Sequence, residues 1–481
     1  MPAIENNLTQ GSVTRKLIRY ALPLMASSLL QAVYSITDII IAGHFIGETG
    51  ISAINTSSVI MNMLTQIAIG LTVGGNILVG QYYGSGKHTD RKQAAGNMLT
   101  VGLIAGVVLM VLLLLLSRPF LILLNAPAMA ESVAYLRICC LGLLFIFGYN
   151  ALSAILRGGG NSRIPLYCII ASVSLNVVLD ILLVAVFRMG VAGAALATVI
   201  GQGVSFLTAL IFCLVHRGEL GLQPRYLRPV REMVRRILQL GFPTALQWTI
   251  ASVSWLVVLT LVNRYGVDVS AGNGVSNKIR DFCQLFISAL TTGAGTMCAQ
   301  CLGAGLYDRA EQVMKSCMKI SLALAAAIIL LAEIFAPQLA MIFTPDPAVQ
   351  HWAVINLRIE IICQLFYAGM FSYNTLATGS GHTVFIMWNS FLNCIVVRLL
   401  LAVVLEYVMS FYGLGIYGVY IACGVAVASS VPVGRWFYRS KRWMHPGGRR
   451  GLRGPGDGEP DCPVRPVGGG RYPGPGGRRR G

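Results

Sequence analysis

The sequence contains Gln81-Tyr82-Tyr83-Gly84-Ser85-Gly86 and, about 220 residues later, Gln300-Cys301-Leu302-Gly303-Ala304-Gly305. Other short stretches recur at the same distance and in the same order: Ala21-Leu22-Pro23 with Gly241-Phe242-Pro243, Arg137 with Arg358, and Gly190-Val191-Ala192-Gly193 with Gly415-Ile416-Tyr417-Gly418. Chance similarity between apolar segments would not keep the proline, the glutamine and the paired glycines in order. We therefore predict that the chain contains two copies of one structural unit.

Long apolar segments fill the chain between these markers. Hydrophobic residues make up 55% of the 481 residues and charged residues 12%, and the mean hydropathy is +0.68. A helix needs about 20 apolar residues to cross the hydrocarbon core of a bilayer, and a backbone in lipid has to satisfy its own hydrogen bonds. Twelve segments meet this requirement and are predicted to be helices: 17–43, 51–80, 94–116, 131–156, 165–187, 191–215, 237–262, 271–300, 316–335, 351–377, 384–408 and 413–438.

The order of these segments predicts the architecture. Corresponding markers are six segments apart, so the two halves have the same orientation in the membrane. The predicted fold class is an all-α membrane protein with twelve transmembrane helices in two six-helix lobes, related by a parallel internal repeat. The expected divisions are an N-terminal segment (1–16), an N-terminal lobe (17–215), a basic linker (216–236), a C-terminal lobe (237–443) and a tail (444–481).

The excess of positive charge predicts orientation in a membrane rather than nucleic-acid binding. The formal net charge is +18, but lysine and arginine occur in short clusters between apolar segments, where they meet anionic lipid headgroups. The connections on the side of the termini carry twenty-one of these residues, and the opposite connections carry three. Positively charged connections stay inside, so we predict a multi-pass protein of the cytoplasmic membrane with both termini in the cytoplasm. Residues 1–16 are polar, so the first segment is predicted to be an uncleaved anchor.

The sequence does not indicate a site for a metal, a cofactor or catalysis. Most of the twelve cysteines lie inside apolar segments, unlike those of a secreted disulfide framework. Cys298-Ala299-Gln300-Cys301 has no second cysteine pair, and the three glycines at 158–160 are not followed by the lysine of a phosphate loop. We therefore expect neither an enzyme nor a cofactor, apart from the ion that a transporter would move.

The composition changes abruptly after the last apolar segment. Residues 445–481 contain 13 Gly, 7 Pro and 8 Arg, a composition that cannot bury a core and predicts disorder. A shift of reading frame in the source DNA is the favoured explanation, because the helical part has a natural end between Arg435 and Trp443. The alternatives are a functional basic tail that binds lipid or nucleic acid, and a tolerated natural extension.

Two acidic residues, Asp38 and Asp180, lie well inside the apolar segments of the first half. Ionisable groups in a bilayer are costly and mark candidate functional sites. Each acid shares a helix face with other polar residues, and a third polar face lies in the sixth segment: Ser27, Gln31, Tyr34, Ser35 and Asp38; Ser172, Asn176 and Asp180; Thr198, Gln202 and Ser205. At 1.5 Å per residue these faces reach a common depth, about 8 to 11 Å below the outer surface. We predict that they meet in one buried cluster.

Two carboxyl groups in such a cluster suit ion-coupled transport. Burial disfavours the charged form of a carboxyl group, and two close negative charges resist forming together. Such a group exchanges a proton near neutral pH and attracts a cation when it is ionised, which is the minimum chemistry of an antiporter. The alternative is that Asp38 and Asp180 only hold helices together through hydrogen bonds.

The second half carries different charges inside its apolar segments: Arg280, Asp281, Arg358, Glu360 and Arg398. The repeat aligns Asn393 with Asn176, which places Val397 opposite Asp180 and Arg398 beside it. The lobes are therefore predicted to be electrically unequal. Arg398 has two possible roles, binding an anionic group or pairing with Asp281 or Glu360, and pairing is favoured.

Five motifs carry a family resemblance: Ala21-Leu22-Pro23, Thr37-Asp38-Ile39-Ile40-Ile41-Ala42-Gly43, Gly84-Ser85-Gly86, Leu156-Arg157-Gly158-Gly159-Gly160-Asn161 and Leu175-Asn176-Val177-Val178-Leu179-Asp180. Over residues 10–443 the sequence resembles the multidrug and toxic compound extrusion (MATE) family, and most of all its bacterial branch related to DinF. The resemblance implies export of amphipathic, often cationic, compounds from a cleft between two lobes. It also implies that the influx of H⁺ or Na⁺ drives this export.

The resemblance further implies site residues. The cation site of that branch corresponds to Asp38, Asn176, Asp180 and Thr198, with Tyr135 nearby, and its cavity residues correspond to Gln31 and Tyr34. Further cavity candidates are polar residues in other segments: Asn62, Gln66, Gln202, Gln284 and Arg398. The branch related to NorM has acids on its seventh and tenth helices. Here residues 237–262 contain no acid and the tenth segment offers Glu360 nearer its outer end, which argues against a sodium site in the C-terminal lobe.

The main functional alternative is a flippase for a lipid-linked saccharide, which can share a two-lobe architecture. A flippase needs a strongly cationic cavity for pyrophosphate, whereas the predicted N-terminal cluster is acidic. An intramembrane enzyme or a channel is disfavoured, because the sequence offers no nucleophile and base pair, no metal-binding set and no repeated pore loop. The expected partners are small amphipathic cations and membrane lipid, and the expected assembly is a monomer.

Overall fold

A computed structural model of the chain describes residues 7–123, 128–220 and 222–445. The predicted tail, residues 444–481, lies outside the described residues except for its first two positions. Its disorder therefore remains a prediction.

Helices dominate the described residues, and no strand occurs among them. Eleven of the helices formed by these residues are long and apolar enough to cross a membrane, and a bent pair provides a twelfth crossing. They are α1 (Val13–Phe45), α2 (Glu48–Gly84), α3 (His88–Leu123), α4 (Met129–Gly158), α5 (Arg163–Val186), α6 (Gly190–Val215), α7 (Arg231–Val262), α8 (Val267–Gly303), α9 (Tyr307–Phe343), α10 (Pro347–Glu360 and Cys363–Ser380), α11 (Thr383–Ser410) and α12 (Gly415–Arg439). The predicted all-α class with twelve spans is confirmed.

Several helices extend beyond the segments that hydropathy predicts. The predicted third and ninth segments are 94–116 and 316–335, whereas α3 and α9 begin earlier and end later, at His88–Leu123 and Tyr307–Phe343. Hydropathy detects the hydrocarbon core, but a helix continues through the headgroup regions of a bilayer, whose total thickness is about 40–45 Å. The ends of the spans are therefore richer in polar residues than the predicted segments.

The tenth span differs from the prediction of one continuous segment. Its two parts meet at an angle of 43°. At the junction the N–H groups of Gln364 and Leu365 donate to the carbonyl oxygens of Ile361 and Ile362, three residues back instead of four. This tighter turn bends the helix directly after the buried acid Glu360.

Corresponding helices of the two lobes contain a wider, π-helical turn. In α5 this turn spans Ile181–Val186 and begins directly after Asp180. In α11 it spans Leu392–Val397 and ends directly before Arg398. Turns of this kind are rare and occur frequently at functional sites, so each lobe places a charged residue beside such a turn.

The helices α2 and α8 hold corresponding positions at the centre of the molecule. Helix α2 packs along α4 in its own lobe and along α7 in the other, while α8 packs along α9 and α10 in its own lobe and against α1 and α2 in the other. Large apolar side chains cover the outside of the bundle, and Leu115, Val215 and Ile342 are 75%, 73% and 75% exposed. Such an apolar outer surface requires lipid, as expected for a multi-pass membrane protein.

The connection between the lobes is fixed to α3. It contains two one-turn helices, Arg217–Leu220 and Pro224–Leu227. The amide nitrogen of Asn97 donates to the carbonyl oxygen of Tyr226 at 3.1 Å and to that of Arg228 at 3.2 Å. Its amide oxygen accepts a hydrogen bond from the N–H of Val230 at 2.7 Å. The connection is thus held against the N-terminal lobe up to the start of α7.

Candidate cation site and substrate cavity

Asp180 lies buried where the regular part of α5 ends. The residue is 1% exposed, and neither of its carboxylate oxygens has a hydrogen-bond partner among the described residues. One turn earlier on the same face, Asn176 is 2% exposed and both polar atoms of its amide group lack a partner in the described part of the chain. Buried polar groups without partners are rare in native proteins. Their occurrence on adjacent turns marks a place where an ion or a proton can bind.

Three other helices bring the remaining residues of the predicted cation site to this point. On α1, Asp38 is half-buried and lies close enough to Asp180 for the two negative charges to repel each other. The hydroxyl of Tyr34, also on α1, lies 3.2 Å from the hydroxyl of Thr198 on α6. Tyr135 on α4 is 4% exposed and packs in one cluster with Ile41 of α1 and Val184 of α5. The structure thus gathers the predicted set from α1, α4, α5 and α6.

A polar cavity of about 540 Å³ lies beside this cluster. It is lined by residues of α1, α2, α4, α5, α6 and α8, and six of the predicted site residues are among them: Gln31, Tyr34, Asn62, Asn176, Thr198 and Gln202. Gln31 and Asn62 are exposed, so the cavity opens to the surface. Its volume is in the range of sites that bind small organic molecules.

A second cavity, of about 210 Å³, extends the first towards the C-terminal lobe. The two cavities share four lining residues: Ile69, Arg157, Ser288 and Thr292. On its far side the second cavity is lined by Thr244 and Trp248 of α7. The combined space therefore lies between the lobes, where a movement of one lobe against the other changes access to it.

The two lobes are joined at the end of the molecule that carries the N-terminus. The side-chain amide of Gln81 donates to the carbonyl oxygen of Gly379 at 2.7 Å, and that of Gln300 donates to the carbonyl oxygen of Gly158 at 2.9 Å. These two bonds correspond in the repeat, because Gln81 and Gln300 are the first residues of the repeated hexapeptides. The hydrogen bonds that described residues form between α1–α6 and α7–α12 all lie in the half of the molecule near this end.

Glycine allows α2 and α8 to approach closely at this closure. A methyl group on Gly84 would overlap the carbonyl oxygen of Gln300, and one on Gly303 would overlap that of Gln81. The N-terminal residue Leu8 adds to the closure, because its N–H donates to the amide oxygen of Gln300 at 3.1 Å. The cavities are therefore closed towards the side of the N-terminus.

A comparison with known families identifies the chain. The MatE family model matches residues 23–182 and, a second time, residues 243–408. The chain belongs to the MATE family of multidrug efflux transporters. The two matches begin 220 residues apart and together cover more than half of the chain, which agrees with the predicted parallel repeat.

Two proteins similar to this MATE transporter have names that refer to multidrug resistance or multidrug export. The "Probable multidrug resistance protein YoeA" of Bacillus subtilis (strain 168) is 27% identical over 440 residues, which are 89% of this chain and 94% of the relative. The "Multidrug export protein MepA" of Staphylococcus saprophyticus is 27% identical over 387 residues, 79% of this chain and 84% of the relative. The predicted position in the branch related to DinF stays a prediction.

A solved structure supports the fold of this MATE transporter. It is described as the "Outward-facing conformation of a multidrug resistance MATE family transporter of the MOP superfamily" and superposes with a TM-score of 0.84. The superposition covers 90% of this chain and 97% of the other at 22% sequence identity, so the likeness concerns the twelve-helix, two-lobe fold.

The predicted cavity residues of this MATE transporter fall into two groups. Four line the main cavity: Gln31, Tyr34, Asn62 and Gln202. Gln66 and Gln284 are half-buried and line neither cavity. Arg398 also lines neither, because it lies buried within the C-terminal lobe.

Arg398 does not form the predicted ion pair with Asp281 or Glu360 among the described residues. Glu360 pairs with Arg280 instead, and Arg280 also lies 3.7 Å from Asp281, whose side chain is 68% exposed. The reason is that α8 packs along α10, so Arg280 meets Glu360 directly. Arg398 stacks on the ring of Trp255, 4.5 Å from its centroid, and Arg280 stacks on the same ring at 4.2 Å.

Arg157 is a cavity residue that sequence reasoning missed. The sequence places it in the connection after the fourth segment, whereas the structure places it in the last turn of α4, where it lines both cavities. Among the described residues that line the main cavity, Arg157 is the charged one. Its carbonyl oxygen accepts a hydrogen bond from the hydroxyl of Tyr20 at 2.8 Å. The sequence did not reveal Arg157 as a cavity residue because it lies at the edge of an apolar segment, where hydropathy falls before the helix ends.

The closure of this MATE transporter was also hidden in the sequence. Gln81 and Gln300 are visible there as markers of the repeat, without a function. In the structure they are 5% and 0% exposed and join the lobes. The available signal was a polar side chain repeated at the same helix end in both halves.

Proposed function

We propose that this MATE transporter is a secondary antiporter that exports small amphipathic organic cations across the cytoplasmic membrane in exchange for H⁺ or Na⁺. Its coupling site consists of Asp38, Asn176, Asp180 and Thr198, with Tyr135 beside them, and it needs no resident cofactor. The protein alternates between a state open to the cytoplasm and a state open to the outside.

The observation that carries this proposal is the buried, unpartnered carboxyl group of Asp180 beside Asp38. An ionised carboxylate at this depth is costly without a partner, and binding H⁺ or Na⁺ removes that cost. The nearby amide oxygen of Asn176 and hydroxyl oxygen of Thr198 are the hard oxygen ligands that such cations accept. The site therefore exchanges one positive charge for another.

The coupling ion and the organic cation compete for these acids, and this competition couples the entry of the ion to the exit of the substrate. Protons from outside neutralise Asp38 and Asp180, so a bound organic cation loses its attraction and leaves. Loss of the protons to the cytoplasm restores the site. One proton crossing 100 mV supplies about 2.3 kcal/mol, which sustains a roughly 50-fold concentration gradient of substrate.

The closure between the lobes supports alternating access. The positive-inside rule places the termini in the cytoplasm, and the bonds of Gln81 and Gln300 lie on that side. We assign this arrangement to the state that is open to the outside. Each of these hydrogen bonds contributes about 1 kcal/mol, so the lobes separate there at modest cost.

The lining of the cavity disfavours the alternative of a flippase for a lipid-linked saccharide. Pyrophosphate requires several cationic groups at its site. The described residues that line the main cavity are mostly hydroxyl, amide and apolar groups, with Arg157 as the single charge. Such a lining suits an amphipathic molecule with few charges.

The test is efflux of a fluorescent organic cation from cells that express the full chain. Wild type, Asp38→Asn and Asp180→Asn are compared with and without a proton uncoupler and in sodium-free medium. We expect wild-type efflux to depend on one of the two ions and to be lost in both variants at equal protein levels. Efflux that is indifferent to both substitutions removes these acids from the mechanism. No efflux by wild type favours a flippase or a substrate that is not cationic.

A further inference from the structure

The C-terminal lobe contains a buried charged cluster at the place that corresponds to the N-terminal cation site. Arg280 on α8, Glu360 on α10 and Arg398 on α11 surround the indole ring of Trp255 on α7. The three charged residues are 5%, 2% and 1% exposed. All three are buried and line neither of the two interlobe cavities, so a drug-sized molecule in those cavities does not reach them in this state.

Two of the three nitrogen atoms in the Arg398 guanidinium group lack hydrogen-bond acceptors in the described part of the chain. Its Nε and Nη1 atoms are shielded from the surface and have no partner among the described residues. The contact with Trp255, in which Cζ of Arg398 lies 4.5 Å from the ring centroid, is a cation–π interaction and offers no lone pair to the N–H groups. The stacking therefore leaves these donors unsatisfied, and buried donors without acceptors are rare in native proteins.

The charges of this cluster do not balance. Glu360 is the one buried acid beside two buried arginines, and it pairs with Arg280. If Glu360 turned to Arg398, Arg280 would lose its buried partner. The other ionisable groups around Arg398 are neutral thiols and a neutral phenol: Cys394, Cys423 and Tyr367. Asp281, the other acid beside Arg280, is 68% exposed, so one of the two buried arginines has no buried acid as its partner, whichever of them Glu360 faces.

We propose that Arg398 binds a small monovalent inorganic anion within the C-terminal lobe, with chloride as the physiological ion. The Nε–H and Nη1–H groups donate to the anion, and its charge balances the cluster inside the bilayer. Tyr420, whose buried hydroxyl also lacks a partner and lies near Glu360, offers a further donor at the edge of the cluster. A bulky organic anion is disfavoured, because Arg398 is 1% exposed and lines neither interlobe cavity. This binding does not depend on the proposed transport cycle.

Bromide tests the site directly, because it replaces chloride and is located by its anomalous scattering. Crystals of the full wild-type chain soaked in sodium bromide are expected to show an anomalous peak in contact with the guanidinium group of Arg398. A map with a clear guanidinium group and no peak beside it overturns the proposal. This measurement needs no variant, so it holds even if substitution of Arg398 prevents folding.

Thermal unfolding of the purified chain in detergent provides the second readout. The midpoint is compared in sodium chloride and in sodium gluconate at equal ionic strength. For wild type we expect a midpoint at least about 3 °C higher in chloride, since a ligand that binds only the folded state stabilises it. The difference should vanish in Arg398→Gln.

The matched control is Arg358→Gln. Arg358 is half-exposed and lies 3.6 Å from Glu333 on the surface, so this variant should keep the full chloride effect. Equal midpoints of wild type in the two salts, or a chloride effect that survives Arg398→Gln, contradict the proposal.

Discussion

The two lobes share one helical frame but hold opposite charges in corresponding helices. In α5, Asn176 is followed one turn later by Asp180, whereas in α11 Asn393 is followed by Val397 and Arg398. A π-helical turn adjoins the charged residue in both helices. The comparison teaches that the repeated fold places a buried charge in the same helix of each lobe, although on different sides of the π-helical turn, and that the two charges differ in sign.

Where the lobes touch, by contrast, they are equivalent. Gln81 binds Gly379 and Gln300 binds Gly158, at 2.7 and 2.9 Å. Such equivalent contacts between the lobes are consistent with a movement in which two similar six-helix lobes shift against each other. Unequal charges suit different tasks for the two bodies. We infer that the acidic lobe exchanges the coupling ion, whereas the basic lobe holds a buried cluster that requires an anion to balance it.

The largest effect is expected from removing the acid of the N-terminal lobe. Asp180→Asn keeps the shape of the side chain but cannot ionise, so efflux of an organic cation should fall at least about 100-fold, a loss of about 2.7 kcal/mol. The control is Asp281→Asn in the C-terminal lobe, whose side chain is 68% exposed and which should stay within about twofold of wild type. A similar loss in both variants would remove the difference between the lobes.

The next effect concerns the buried ion pair of the C-terminal lobe. Glu360→Gln removes the buried partner of Arg280 and leaves only the exposed Asp281 at 3.7 Å, so the free energy of unfolding should fall by about 3–5 kcal/mol. The control is Glu333→Gln, which breaks the half-exposed pair with Arg358 and should cost about 0–1 kcal/mol. Unfolding midpoints in detergent at fixed chloride concentration compare the variants. A milder effect for Glu360→Gln than for Glu333→Gln would speak against a structural role of the buried pair.

A smaller effect is expected at the closure, where the lobes are equivalent. Gln81→Ala and Gln300→Ala each remove an interlobe hydrogen bond of about 1 kcal/mol, which shifts the equilibrium towards the separated state about fivefold. Gln300→Ala should shift it slightly more, because the bond from Leu8 is lost as well. Distances between spin labels on α2 and α8 report this shift.

The control for the closure is Gln66→Ala, which changes a half-buried amide on α2 that lines neither cavity. This variant should leave the distance distribution unchanged. A shift caused by Gln300→Ala alone, with none from Gln81→Ala, would show that the closure is not shared equally.

The smallest effect is expected within the N-terminal cluster. Tyr34→Phe and Thr198→Ala each remove one side of a hydrogen bond of 3.2 Å, and hydrogen bonds between membrane helices contribute about 0.6 kcal/mol on average. Each variant should change half-saturation of efflux by about threefold at most. The double variant should resemble either single variant, and additive effects would argue that the two hydroxyl groups act separately.

The sequence was sufficient for the fold, and it named most of the residues that the structure gathers at the candidate cation site. Hydropathy and the repeated glutamine and glycine motifs predicted twelve helices in two lobes, because a bilayer leaves a spanning backbone little choice but a helix. Helical periodicity and depth were enough to place Asp38, Asp180 and Thr198 near one another. Helical periodicity concerns one helix at a time, and the hydrogen-bond requirement applies to every backbone in a bilayer. Neither rule requires knowledge of how the helices pack against each other.

The features that the sequence did not predict depend on which helices pack against each other and where each helix ends. The pairing of Arg280, rather than Arg398, with Glu360 follows from the packing of α8 along α10, and no single segment reveals this packing. The bend after Glu360 depends on a few hydrogen bonds of altered spacing. Arg157 was missed because α4 continues beyond its apolar part.

The central claim is that Asp180 couples substrate movement to an ion gradient. Proteoliposomes that contain the full chain allow this coupling to be measured directly, with an imposed H⁺ gradient and an imposed Na⁺ gradient applied separately. We predict that one of the gradients drives accumulation of a fluorescent organic cation against its own gradient in wild type and fails to do so in Asp180→Asn. Accumulation by Asp180→Asn at the wild-type rate, or no response of wild type to either gradient, would contradict this account.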